Sequence, residues 1–236
     1  MLTWIAFDAD DTLWENELYY QHAQEELSRL LSSYQSPELV ERLLLETETR
    51  NIPFFGYGIK SFGLSMIETA LKISEGNIEG QGIQKILDSI HEMVQTRVEV
   101  LAGVYDTLEI LIPDYKLMMI TKGDLLDQER KLEHSGLRDF FSVIEVVNHK
   151  DTAVYRKILE KNNILPQEFL MIGNSLRSDV LPVSALGAHG VLINHHITWE
   201  HEKLINQDIG QHRYFELTKI SELPDLVEKI NQATAQ

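Results

Sequence analysis

Short apolar runs that stop abruptly at polar or glycine residues recur along this chain. Trp4-Ile5-Ala6-Phe7 ends at Asp8, and residues 115–121 (YKLMMIT), 143–147 (VIEVV), 169–173 (FLMIG) and 190–194 (GVLIN) repeat the form. Runs of this length predict buried strands whose carboxyl ends open onto something polar. Between them the period becomes helical: residues 124–134 run to Gly136 as a stop, and residues 151–161 carry Val154, Ile158 and Leu159 on one face. Strand and helix alternate, which predicts an α/β fold, a doubly wound sheet of parallel strands.

Nothing like a second strand follows the first until Tyr115. The intervening stretch carries three helical stripes, on Leu27, Leu30, Leu31 and Tyr34, on Leu39, Val40, Leu43 and Leu44, and on Ile83, Ile86, Leu87, Ile90 and Val94. Residues 15–98 therefore read as an inserted helical domain, leaving 1–14 and 99–236 as the α/β core. Residues 51–63 (NIPFFGYGIKSFG), with a proline, three glycines and three phenylalanines beside a tyrosine, are expected to form an ordered loop that interrupts the bundle. Residues 221–231, with Leu223, Leu226, Val227 and Ile230, predict a helix closing the sheet. No internal repeat or low-complexity tract stands out.

Composition narrows the class. A chain of 236 residues, 43% hydrophobic and 25% charged, suffices for a large core without covalent staples. It has no cysteine, which excludes disulfides, thiolate metal sites and a cysteine nucleophile, and fits a reducing compartment, with the cytoplasm as the expected location. The apolar runs at 108–113 and 115–121 are far shorter than the roughly 20 residues of a membrane span. The first residues, MLTWIAFDADDT, lack the basic start of a secretory signal, so the mature chain is expected to begin at Met1. The formal charge of −16 argues against polymeric nucleic acid, whose binding depends on Lys and Arg displacing counterions. A small phosphorylated anion remains admissible where a cation or a cluster of donors reverses the local field.

Asp8, Asp10 and Asp11, followed by Thr12, lie where the first strand ends. Carboxylates packed this closely repel, so a fold that keeps them normally supplies a cation or a proton. In open parallel sheets ligands bind beyond the carboxyl ends of the strands. The same edge then receives Thr121, Lys122, Gly123 and Asp124 after the second strand, Asn148, His149 and Lys150 after the third, and Gly173-Asn174-Ser175 with Asp179 after the fourth.

Taken in order, these motifs resemble the haloacid dehalogenase superfamily of hydrolases, predominantly magnesium-dependent phosphatases. Its DxDxT motif matches Asp8, Asp10 and Thr12; its strand-ending Thr or Ser matches Thr121; its lysine matches Lys150; its glycine turn ending in an acid matches Gly173 to Asp179. A helical cap inserted after the first motif is also a family feature, so the resemblance spans essentially the whole chain. It implies Asp8 as nucleophile on phosphorus through an aspartyl-phosphate, and Asp10 as general acid and then base. Thr121, with Lys122 and Gly123 beside it, would hold phosphoryl oxygens, while Lys150 neutralises Asp8 and the phosphate. Asp8, Asp179 and the Asp10 carbonyl, with Asn174 nearby, would hold Mg²⁺. The family often has an acid where this chain has Asn174, which removes one charge from the metal site.

Bland readings stand beside these. Asp8–Thr12 could cap a helix, Thr121 could be an N-cap, Lys150 a surface lysine, and Asp179 a first-turn acid. Arg50, Tyr57 and Lys60 could reach a substrate's leaving group or simply pack the cap loop. His195, His196 and His201 lie beyond the fifth strand without helical ligand spacing and read as solvated loop residues. Readings that compete with a phosphatase of a small phosphorylated metabolite are a phosphomutase or dehalogenase of the same superfamily, and a non-catalytic phosphate-binding or Mg²⁺-binding module.

Overall fold

The computed structural model describes residues 1–194 and 214–234. These fall into two compact units: Met1–Glu15, Val98–Thr121 and Lys131–Gln236 form the first, Asn16–Arg97 and Lys122–Arg130 the second. The segment Lys122–Arg130, which pattern alone leaves with the sheet, therefore groups with the helical unit.

The first unit is built on strands β1 (Trp4–Phe7), β2 (Lys116–Lys122), β3 (Val143–Val147), β4 (Phe169–Gly173), β5 (His189–Ile193) and β6 (Phe215–Leu217), in the order β3-β2-β1-β4-β5-β6. β1 pairs in parallel with both β2 and β4, and the parallel ladder continues through β5 to β6. In chain order the helices are α1 (Glu17–Leu30), α2 (Pro37–Phe55), α3 (Ile59–Ile73), α4 (Gly80–Gln95), α5 (Val104–Leu111), α6 (Leu125–Ser135), α7 (Thr152–Lys161), α8 (Leu181–Ser184) and α9 (Leu223–Thr234).

Side-chain alternation explains why the strands read as continuous apolar runs. Ile5, Phe7, Leu117, Met119, Leu170 and Ile172 face one buried cluster, shared with Leu108 of α5, Leu132 of α6 and Val227 of α9. Ala6, Met118, Ile120, Phe169 and Met171 face the other, with Tyr155 and Ile158 of α7 and Val183 of α8. Both faces are covered, so neither needs polar positions. Full burial of each large aliphatic or aromatic side chain is worth about 1.5–3 kcal/mol. Stops and caps are local: Gly136 follows α6 at φ 72°, and Asp151 accepts the Val154 N–H at 2.8 Å to start α7.

The second unit packs α1 to α4 around Leu27, Leu31, Val40, Leu44, Phe62, Met66 and Ile86. The loop expected over 51–63 is a correction: α2 continues to Phe55, α3 begins at Ile59, and only Gly56-Tyr57-Gly58 breaks the helix. Pro53 lacks an N–H, yet tertiary bonds override its propensity, because Asn51 Nδ2 donates to Ser65 Oγ at 3.1 Å and to Glu68 Oε2 at 2.9 Å. Gly63 sits inside α3 because the Ile90 side chain lies 3.0 Å from where a Cβ would stand. Gly58, at φ 103°, lies against the Asp124 backbone nitrogen, 2.8 Å from its would-be Cβ.

Glu48 on α2 is buried, and its carboxyl makes no hydrogen bond or ion pair with another described side chain. Burial alone pushes its carboxyl up from 4.5 to about 7. A raised folded-state pKa means that the unfolded chain releases this proton first, so folding stability falls as pH climbs from about 4.5 through 7. Glu48→Gln removes that titration. Its thermal midpoint should exceed that of the wild type at about pH 8 by more than it does at about pH 5; equal differences at both values would show that Glu48 is not the group responsible.

No described helix is long and apolar enough to cross a membrane.

Candidate active site

The strand order reverses on either side of β1, and at such a reversal the flanking loops leave a crevice at the carboxyl edge of the sheet. Phe7 pairs with Met119 on β2 and with Ile172 on β4, so Asp8, Thr121 and Gly173 reach the same edge. The Asp8 N–H extends the ladder to Ile172 O at 2.8 Å. Thr121 is buried at the end of β2.

Lys150 joins two of the expected carboxylates. Its Nζ lies 2.5 Å from Asp8 Oδ1 and 2.7 Å from Asp179 Oδ1, and its side chain is 1% exposed. Asp179 is fully buried and Asp8 8% exposed. This excludes a surface role for Lys150. Burial first, and then the Asp179 charge, push the Asp8 carboxyl up to about 7 against the opposing pull of Lys150. Burial would lower Lys150, but Asp179 and Asp8 overcome it and hold the amine at about 12. Lys150 is thus a permanent cation between two carboxylates, and one positive charge does not match two negative ones.

Asp179 is delivered by an unusual turn. Residues Leu176–Val180 form a π-helical turn capped by Ser175, whose Oγ accepts the Ser178 N–H at 3.0 Å. The Ser175 N–H donates to Asp179 Oδ2 at 3.0 Å. Gly173 is a strand residue of ordinary φ, and its role is spatial: a Cβ there would stand 2.2 Å from Asp179 Oδ2. The glycine serves the close approach of a carboxylate rather than a turn. Asn174 is half-buried beside it.

Asp10 is held separately from the Lys150 pair. Its Oδ1 accepts the Trp14 Nε1–H at 2.7 Å and faces Lys131 Nζ at 3.0 Å. Asp11 between them takes the left-handed conformation at φ 58°, which aspartate tolerates better than most residues, and its N–H donates to Trp14 O at 2.7 Å. Thr12 is buried below this turn. Neither Lys131 nor Trp14 is a candidate from sequence, because their partner lies four residues away in one case and 121 in the other. Helical spacing shows at most that Lys131 shares a side of its helix with Gln128, and not which carboxylate it meets.

The remaining expected site residues belong to the second unit. Lys122 Nζ lies 5.0 Å from the Tyr57 ring centroid, Gly123 at φ 147° leaves room for the Gln128 amide, and Gln128 donates to Lys122 O at 3.2 Å. Arg50 pairs with Glu68 at 2.6 Å and Lys60 with Asp124 at 2.9 Å. His195, His196 and His201 lie outside the described residues. No group of three or more His, Asp or Glu side chains poised around one metal position occurs among the described residues.

The open parallel sheet gathers buried carboxylates, an ammonium held between them and a hydroxyl at its carboxyl edge. The chain belongs to the haloacid dehalogenase-like hydrolases, whose family model matches residues 2–187, and it is a hydrolase. Over 99% of its length it matches 94% of a haloacid dehalogenase-like family hydrolase from Xanthomonas campestris, with 38% identity and a TM-score of 0.88. A 2-haloacid dehalogenase from Pseudomonas syringae shares the fold, at 19% identity and a TM-score of 0.63 over 97% of this chain and 99% of that one. Glyceraldehyde 3-phosphate phosphatase from Pyrococcus furiosus is 28% identical over 123 residues, 50% of this chain and 48% of that one. The chain thus spans about half the length of the curated relative it matches.

Proposed function

We propose that the protein is a Mg²⁺-dependent phosphatase of a small phosphorylated metabolite in the cytoplasm. The observation that carries this reading is the buried Asp8–Lys150–Asp179 arrangement, with Asp10 held beside it by its own partners. An Asp8 oxygen attacks phosphorus, the bond to the leaving oxygen breaks, and the Asp10 carboxyl gives that oxygen its proton. In the second half, water attacks the aspartyl-phosphate, its proton passes to Asp10, and the bond between Asp8 and phosphorus breaks to release phosphate. Lys150 offsets charge on Asp8 and on the phosphoryl group, and Thr121 holds a phosphoryl oxygen.

The donor set suits Mg²⁺. Two buried carboxylates share one ammonium, so a further cation is electrostatically favoured, and only hard oxygen donors are at hand. Asp8, Asp179 and the Asp10 carbonyl would hold the ion, with Asn174 adding an amide oxygen directly or through water. Few carboxylates fit an ion that keeps several of its waters. When bound, Mg²⁺ supplies charge stabilisation to the phosphoryl group.

The phosphatase named above favours an ester substrate. Asp10 separates this reading from a dehalogenase. Halide leaves as a stable anion and needs no proton, whereas an alkoxide does, and here the carboxylate is held by two donors. The purified protein should release phosphate from 4-nitrophenyl phosphate with Mg²⁺ and lose at least nine-tenths of that rate in chelator. Full activity in chelator would remove the metal role, and halide release from a 2-haloacid without phosphate release would replace the reading.

A further inference from the structure

We infer that Tyr57 and Gly58, in the break between α2 and α3, are positioning residues for Lys122-Gly123-Asp124, the segment that follows Thr121; the inference rests on the phosphatase reading above, in which Thr121 holds a phosphoryl oxygen. The chain passes from the first unit to the second between Thr121 and Lys122. One planar peptide joins these two residues. Whatever fixes the segment after Thr121 therefore constrains the backbone and side-chain donors next to it, where a misplacement of about 1 Å is costly in rate.

Three contacts within the second unit converge on this segment. Gly58, at φ 103°, packs on the Asp124 backbone: a Cβ there would stand 2.8 Å from the Asp124 nitrogen and 3.2 Å from the Asp124 Cβ. Glycine is required twice, once by the positive φ and once by the space. The Lys122 ammonium lies 5.0 Å from the Tyr57 ring centroid, within reach of a cation–π contact. Lys60 Nζ meets Asp124 Oδ2 at 2.9 Å, while Oδ1 of the same carboxylate accepts the Asp127 N–H at 3.1 Å and caps α6. One carboxylate thus links the start of α3 to the start of α6. The Lys60 side chain is 63% exposed, so that ion pair is worth little by itself, and the positioning falls to the backbone contact at Gly58 and the ring of Tyr57. Both residues touch the three positions after Thr121, one through a backbone and the other through a cation.

The test uses the Mg²⁺-loaded protein, with 4-nitrophenyl phosphate as substrate and inorganic phosphate as competing product. Gly58→Ala should raise KM and the phosphate inhibition constant together, by at least about fivefold, with kcat within about threefold of wild type, the split expected when the phosphoryl group is held less well in ground and transition states alike. Tyr57→Leu, which leaves both glycines in place, should move the same two constants in the same direction, and Tyr57→Phe, which keeps the ring face, should recover most of the loss. Gly63→Ala controls for simple damage to the helical unit, since its Cβ would meet the Ile90 side chain instead. It should lower the thermal midpoint and move neither constant. Constants unchanged in both Gly58→Ala and Tyr57→Leu, or shifted as far by Gly63→Ala, overturn the positioning role. A wild-type enzyme inactive on every ester would defeat the phosphatase reading instead. The positioning is then read without turnover, from hydrogen exchange in peptides covering residues 122–130. Exchange there should quicken at least about fivefold in Gly58→Ala and Tyr57→Leu relative to Gly63→Ala, and exchange no faster than in that control refutes the inference.

Discussion

Asp8→Asn is expected to cut phosphate release at least about 10⁴-fold, the scale seen when an enzyme loses its nucleophile, while the metal-free thermal midpoint at about pH 8 stays level or rises. The two halves of this result have one origin. An amide has the shape of the carboxylate but cannot form the aspartyl-phosphate, so the covalent route closes. The same substitution relieves the site, because Asp8 and Asp179 both crowd Lys150 and their repulsion helps hold the Asp8 carboxyl near 7. With the amide in place, one ammonium faces one carboxylate. Steady-state rates and thermal unfolding on the same preparation check both, and turnover within about tenfold of wild type would place the nucleophile elsewhere.

What was legible in the sequence follows from where each signal is stored. β1, β2 and β4 contribute buried side chains to both clusters, so they announce themselves as unbroken apolar runs, and Asp8, Thr121 and Gly173 lie at the ends of these runs. β6, three residues with two exposed, carries no such run. The break between α2 and α3 read as too long because proline and glycine are local signals, whereas the bonds from Asn51 to Ser65 and Glu68 that extend α2 are tertiary. Asp8, Lys150 and Asp179 come together as their motif order suggests. Lys131 was hidden because an ion pair across 121 residues leaves no trace in spacing, and Gly173 matched a motif for a reason the motif does not state.

Lys150→Met should abolish phosphate release and, in the absence of metal, lower the stability of the first unit by about 3–5 kcal/mol at about pH 8, the cost of stripping one partner from a buried ion pair. For a chain of this size that is a fall of roughly 10 °C in the midpoint. The pH dependence identifies the cause. In the wild type the Asp8 carboxyl already sits near 7, well above its ordinary 3.8, so the stability linked to its proton is present below about 4 and lost as pH rises through 7. Without Lys150, burial and the Asp179 charge act unopposed, and the decline between about pH 5 and pH 8 should steepen. At the acidic end of that range a proton shared between the carboxylates replaces the missing ammonium, and the variant should come closer to wild type. Mg²⁺ separates structure from chemistry: as a cation between Asp8 and Asp179 it should restore much of the midpoint at the alkaline end, yet not the activity, because the charge that Lys150 presents to the phosphoryl group is still missing. Thermal unfolding at both ends of the range, with and without Mg²⁺, reads all of these states. A variant as stable as wild type at about pH 8 without metal would show that the two carboxylates do not depend on Lys150.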